Sequence, residues 1–203
     1  MPALHSATPL LLDASCVISL YASSQMAPIL GAYPAQIGVV DIVRTGETLD
    51  VWDGPDENVR QHKSTVNLLP FIAAGVLVEV PSETIDMKMV VNLAAHGLNN
   101  NECATMAAAY RLGWGLGIDN VSAWRRIATL LPQVSLVSTS RLLKHWADTQ
   151  HITLKDVCTA LQSMRRRGGY RFQKHDPLGD WLQQLLEGSH KATPNNKTQG
   201  RGR

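Results

Sequence analysis

Asp13, Glu102 and Asp119 are three acids that a parallel sheet can bring to one edge. Asp13 follows the unbroken apolar run Leu10, Leu11, Leu12, the pattern of a central strand covered on both faces. Val17, Ile18, Leu20 and Tyr21 then recur at helical spacing after Ser15, a suitable N-cap. Asp13 therefore sits at a strand-to-helix junction. Asp119 repeats that arrangement after Leu116 and Ile118, and Glu102 opens the Ala-rich helix feeding the second strand. Ligands of open α/β sheets bind beyond the carboxyl ends of the strands. Carboxylates gathered there repel one another, and a divalent cation or a shared proton relieves the repulsion. No lysine or arginine is adjacent to any of the three in sequence. Oxygen-only ligands suit Mg²⁺ or Mn²⁺, and such an ion supports phosphodiester hydrolysis. A plainer alternative stays open for Asp13, that of a cap on the helix beginning near Ser15.

The elements that must hold these acids alternate along the chain. After the first helix, residues 26–32 predict a short helical segment and 37–40 a second strand, followed by a helix over 41–48. Residues 50–61, rich in Asp, Gly, Pro, Glu and Asn, predict a loop. A helix over 68–73 leads to a strand over 76–80 with Glu79 pointing outward, and Pro81 and Ser82 open a helix running to Ala94. The polar break at 99–101 can cap the helix that carries Glu102. A strand ending in Asp119, a helix over 121–131, a strand over 134–137 and a helix capped by Thr139 or Ser140 complete the alternation. The glycines of GWGLG at 113–117 precede a strand where a dinucleotide-binding loop must follow one, so they are read as a structural turn. Helices over 153–167 and 176–186 come last. The whole predicts a three-layer α/β/α sandwich with a mostly parallel central sheet and extra C-terminal helices.

A chain of 203 residues fits one α/β domain and a tail, and 44% hydrophobic with 18% charged residues describes a soluble globular protein. The net charge of +2 is too small to name a partner. Its distribution says more: Arg165, Arg166, Arg167, Arg171 and Lys174 cluster, with Tyr170 and Phe172 interleaved. Such a patch can track a phosphate backbone and stack bases, or be a solvated helix end whose arginines favour the C-terminal dipole. Cys16, Cys103 and Cys158 are odd in number and set in apolar surroundings, which predicts buried free thiols. The five tryptophans are read as packing residues, and no histidine receives a role. No run of 18 apolar residues and no signal-peptide pattern occurs, so the expectation is a cytoplasmic protein without a membrane partner.

Three spaced motifs resemble the PIN domains, small metal-dependent nucleases that include the VapC-like toxins. LLLDASCVISL resembles the family's opening, which assigns Asp13 and Ser15. NNNECATMAAAYRLG is similar to its helix beginning with an acid, which assigns Glu102, although Asn101 stands where a glycine often precedes. GLGIDNVSAWRRIA resembles its strand-Asp-helix step, which assigns Asp119, with Asn120 in place of a frequent second Asp. The family's remaining acid follows the second strand, where IVRTGETLDV offers Glu47, with Asp41 as the alternative. The resemblance covers roughly residues 8–145, leaving a helical extension over 146–188 and a basic, disordered tail over 189–203. It implies that Asp13, Glu47, Glu102 and Asp119 hold Mg²⁺ or Mn²⁺, with Ser15 and Asn120 in support, and that an RNA strand is hydrolysed. Arg165, Arg166, Arg167 and Arg171 are the candidate RNA contacts. The implied partners are a small antitoxin and, as an open alternative, a second copy of the chain. A catalytically weakened RNA-binding module of the same fold is the competing expectation, motivated by Asn101 and Asn120.

Overall fold

The computed structural model describes residues 8–46, 49–53, 62–172 and 176–191. Its centre is β1 (Leu10–Leu12), every residue of which is buried. Parallel neighbours flank it on both sides: β2 (Ile37–Val40) pairs Leu10 with Ile37, and β6 (Gly115–Gly117) pairs Leu10 with Gly115. Beyond these lie β5 (Val78–Val80) and β7 (Leu136–Val137), giving the order β5-β2-β1-β6-β7 with every neighbouring pair parallel. A strand covered on both faces needs no polar alternation, which is why the inner strands read as apolar or glycine runs.

The connections divide the helices into two layers. From β1 the chain passes through α1 (Ala14–Ala22) and α2 (Met26–Ala32) to β2 on one side, whereas from β6 it passes through α7 (Val121–Leu130) to β7 on the other. Right-handed crossovers then place these connections on opposite faces, and the strand order reverses between β1 and β6. With α1 and α2 pack α8 (Thr139–Thr149), α9 (Leu154–Gly168) and α10 (Gly179–Lys191). In the other layer α5 (Met87–Ala95) packs on α6 (Asn100–Leu112), and α7 buries Ala123 and Ile127 against Met106. Short α3 (Asp41–Thr45) and α4 (Leu69–Ala73) complete the helices.

Several expectations change in the structure. Residues 50–61 are not a loop throughout: β3 (Asp50–Asp53) forms an antiparallel ladder with β4 (His62–Thr65), anchored by fully buried Val51. One fully buried side chain in β3 and no apolar residue in β4 make a weak signal, and the acidic ends of β3 hid it. The helix expected from Ser82 begins later, because Ser82–Thr84 forms only a 3₁₀ turn and Asp86 caps α5 through the Lys88 and Met89 amides. The GWGLG segment is partly turn and partly strand. Gly113 ends α6 at φ 67°, while Gly115–Gly117 is β6 itself. A Cβ on Gly117 would lie 2.6 Å from Leu12 Cδ2, so the glycine lets β6 close on β1. The boundary expected after residue 145 falls inside α8, and Val157, Leu161, Met164 and Leu182 share one apolar core with Leu10–Leu12. Residues 192–203 of the expected tail lie outside the described residues. All three cysteines are free and buried. Among the described residues no helix is long and apolar enough to cross a membrane.

Candidate active site

Asp13 leaves β1 in an extended conformation (φ −73°, ψ 159°) and is itself the N-cap of α1. Its Oδ2 accepts from the Ser15 backbone N–H at 3.3 Å and from Ser15 Oγ at 2.9 Å. The cap expected at Ser15 thus sits two residues earlier, because the carboxylate reaches an orphan amide of the first turn. Capping alone does not account for its environment. Asp13 is only 5% exposed, and burial raises its pKa against the lowering effect of Ser15, with the nearby Glu102 charge adding to the rise.

Asp119 lies one strand over, just past β6. Its Oδ1 accepts from the Thr139 N–H at 2.8 Å, and its Oδ2 accepts from Thr139 Oγ1 at 2.6 Å and Ser19 Oγ at 3.3 Å. Thr139 is the first residue of α8, so the carboxylate takes up one of the four amides that a helix start leaves unpaired. Burial nevertheless outweighs these bonds and raises the Asp119 pKa. The Asp119 N–H donates to Ser15 Oγ at 3.4 Å, so one hydroxyl lies between the Asp13 carboxylate and the Asp119 backbone. Beneath them Cys16 is fully buried, its thiol pushed well up by burial first and then by the Asp119 charge, which keeps it protonated and unreactive.

Glu102 approaches from the opposite layer. Asn99 and Glu102 form a capping box at the start of α6, with Glu102 Oε2 accepting from the Asn99 N–H at 3.0 Å. The other oxygen, Oε1, accepts from Asn120 Nδ2 at 2.7 Å. Asn120 meanwhile caps α7 through Oδ1, which accepts from the Ser122 and Ala123 amides. An amide can stand against Glu102 without any counter-ion, whereas a carboxylate at 120 would need one.

Three of the four expected acids therefore gather where the strand order reverses, between the carboxyl ends of β1 and β6. Glu47 lies outside the described residues. Its alternative, Asp41, stands at the end of β2 and opens α3; Oδ2 accepts from Ser82 Oγ at 3.2 Å, while Oδ1 is buried without a hydrogen-bond partner. Among the described residues no ion pair involves Asp13, Glu102 or Asp119, and no group of three His, Cys, Asp or Glu is arranged to hold a metal ion. The donor chemistry suits an oxygen-preferring divalent ion, because Asp13 and Glu102 feel each other's charge and only neutral groups answer them.

The arginines separate. Arg167 lies at the far end of α1, about 13 Å along the helix from Asp13, where it donates to Ala22 O at 3.3 Å, Trp52 O at 3.3 Å and Ser24 Oγ at 2.8 Å. It closes the C-terminus of α1 with its side chain partly buried. Arg165 and Arg166 share that last turn of α9, while Arg171 lines the same cavity as Asp119.

No family model, curated protein or solved structure matches the chain.

Ser19 and Thr139, as donors to Asp119, escaped the sequence reading, whereas the cap expected within 99–101 is Asn99 itself. Ser19 lies one helical turn beyond Ser15, and Thr139 follows the strand beside β6, so topology alone could have placed both near Asp119. The spacing of Asn99 and Glu102 is itself the signature of a capping box. The repulsion among these acids is of the kind that a divalent cation or a retained proton relieves.

Proposed function

We propose that this chain is a metal-dependent endoribonuclease acting on single-stranded RNA. The observation that supports it is the gathering of buried Asp13 and Glu102 with half-buried Asp119 at the switch point of a parallel sheet, each held by neutral donors. Asp13, Glu102 and Asp119, with Glu47 as the fourth acid implied by resemblance to PIN domains, would hold Mg²⁺ or Mn²⁺, which supplies activation of a water and charge stabilisation at the phosphoryl group. Ser15 fixes the Asp13 carboxylate, and Thr139 with Ser19 fixes Asp119. A site open at a strand edge favours a splayed single strand over a stiff duplex. By the same resemblance the protein would act in a toxin–antitoxin pair, with a small protein as inhibitor. The test is cleavage of single-stranded RNA by the full chain with Mn²⁺, expected to vanish in EDTA and in Asp119→Ala with the fold retained by circular dichroism. Cleavage that persists in EDTA overturns the metal reading.

A second reading has its own support: Asn120 already satisfies Glu102, and no three described acids form a metal-holding group. On that reading the chain binds RNA with catalysis weakened. Tight RNA binding without turnover at saturating Mn²⁺ selects it, and robust turnover excludes it.

A further inference from the structure

Beside Asp119 lies a cavity of about 400 Å³, large enough for a nucleotide-sized ligand. Its walls come from two distant parts of the chain. Trp124 and Arg125 project from the first turns of α7, while Tyr170, Arg171 and Phe172 follow the left-handed Gly169 that ends α9. Gly168 makes this possible, since its missing side chain lets the chain lie against Ala22 and Ile18 and run back along α1 toward Cys16 and Asp119. Tyr170 is held in place, only 6% exposed, and nearby Ser140 donates to Asp176 Oδ2 at 2.8 Å.

We propose that this recess is a nucleobase subsite, receiving an unstacked base of the RNA strand whose backbone crosses the Asp13–Asp119 edge. The proposal rests on the nuclease reading for its substrate class, but not for its binding. Three aromatic side chains around one apolar cavity offer faces on which any base can stack, and stacking of this kind is tolerant of sequence. Arg125 and Arg171 are both exposed at its rim, where a guanidinium can meet a flanking phosphate or stack on the base. A neutral aliphatic ligand would offer these two cations no complement, whereas a nucleotide strand brings a phosphate beside each base. The base must first leave its stack, which restricts the site to single-stranded substrate.

The test measures binding by the full chain in EDTA, so that hydrolysis plays no part. Fluorescence anisotropy of a labelled single-stranded RNA hexamer is compared for wild type, Phe172→Leu, Arg171→Ala and, as a charge control away from the recess, Lys155→Ala. Phe172→Leu keeps apolar bulk and removes the stacking face; about a tenfold loss of affinity is expected, with Lys155→Ala within twofold of wild type. Trp124→Leu, on the opposite wall, gives the same readout if Phe172→Leu does not fold. A hexamer with one abasic position should lose a similar factor on wild type and little more on Phe172→Leu. Affinity unchanged in both wall variants, or no binding of the hexamer to the wild type, overturns the subsite. Binding that depends on Phe172 without any Mn²⁺-dependent cleavage sinks only the nuclease reading; robust cleavage with Phe172-independent binding sinks only the subsite.

Discussion

The two halves of the sheet's carboxyl edge are built alike and treated differently. On the β2–β5 side, Glu79 of β5 forms an ion pair with Arg44 of α3, and both side chains are about a third exposed. On the β1–β6 side, Asp13 and Glu102 are buried and Asp119 is half-buried, and hydroxyls, amides and backbone N–H groups donate to them. An ordinary structural acid settles for the first arrangement, which costs little desolvation and gains little. The second arrangement is expensive to build, because burial raises the pKa of both Asp13 and Asp119. Proteins keep such groups mainly where function requires them, and that contrast separates a candidate active site from a polar rim.

The sharpest way to break the comparison is a pair of isosteric changes. Asp13→Asn keeps a competent N-cap, since asparagine caps helices as well as aspartate, but removes the charge. Turnover of RNA with Mn²⁺ should fall by about 10²-fold or more, while Glu79→Gln leaves it within a factor of two. Equal losses in both variants would erase the distinction between the two halves. Asn120→Asp sharpens it from the other direction, by replacing an amide that donates to Glu102 at 2.7 Å with a second carboxylate. In EDTA its melting temperature should drop below that of wild type, and Mn²⁺ should restore it, since an ion bound only by the folded state stabilises that state. A drop that Mn²⁺ does not reverse would argue that these acids are not arranged to accept the ion.

Stability against pH tests the same burial. The folded-state pKa values of Asp13 and Asp119 are raised from the ordinary 3.8, so above that pH the folded state holds more protons than the unfolded one. Stability from these groups therefore falls as pH rises from 3.8 through the folded values, and levels off beyond them. Urea midpoints should move in favour of Asp13→Asn over wild type across that window. A difference between the two proteins that stays constant with pH would mean that Asp13 is no more buried than a surface cap.

Alternation of apolar runs and helical periods was enough to place the sheet, because each inner strand is buried on both faces and needs no second signal. Asp13 and Asp119 were legible for the same reason: each directly follows such a run. The hairpin β3–β4 was not legible, since Val51 is its only fully buried residue and its partners are His, Lys, Ser and Thr. Nor did the basic cluster divide itself in sequence. Arg167 and Arg171 are four residues apart, yet Gly169 turns the chain between them, sending one to the C-terminus of α1 and the other to the recess at Asp119. In sequence Trp124 reads with the other tryptophans as packing; only the return of residues 170–172 along α1 gives its exposed side something to face.

The smallest effect comes from the ordinary half of the edge, and it calibrates the rest. Arg44→Ala removes the ion pair with Glu79, whose partners are exposed enough for water and salt to screen them. The loss should be about 0.2–1 kcal/mol and should shrink further as salt is raised to 1 M. Thr139→Val, by contrast, strips a hydroxyl that donates to Asp119 Oδ2 at 2.6 Å in a wholly buried position. A carboxylate held this far from water and left short of a donor costs about 1–3 kcal/mol, and salt screens it less than an exposed pair. Chemical denaturation in urea at low and high salt compares the two variants directly. If both lose equally and both respond to salt, Asp119 is as solvated as Glu79 and the two halves of the edge are alike.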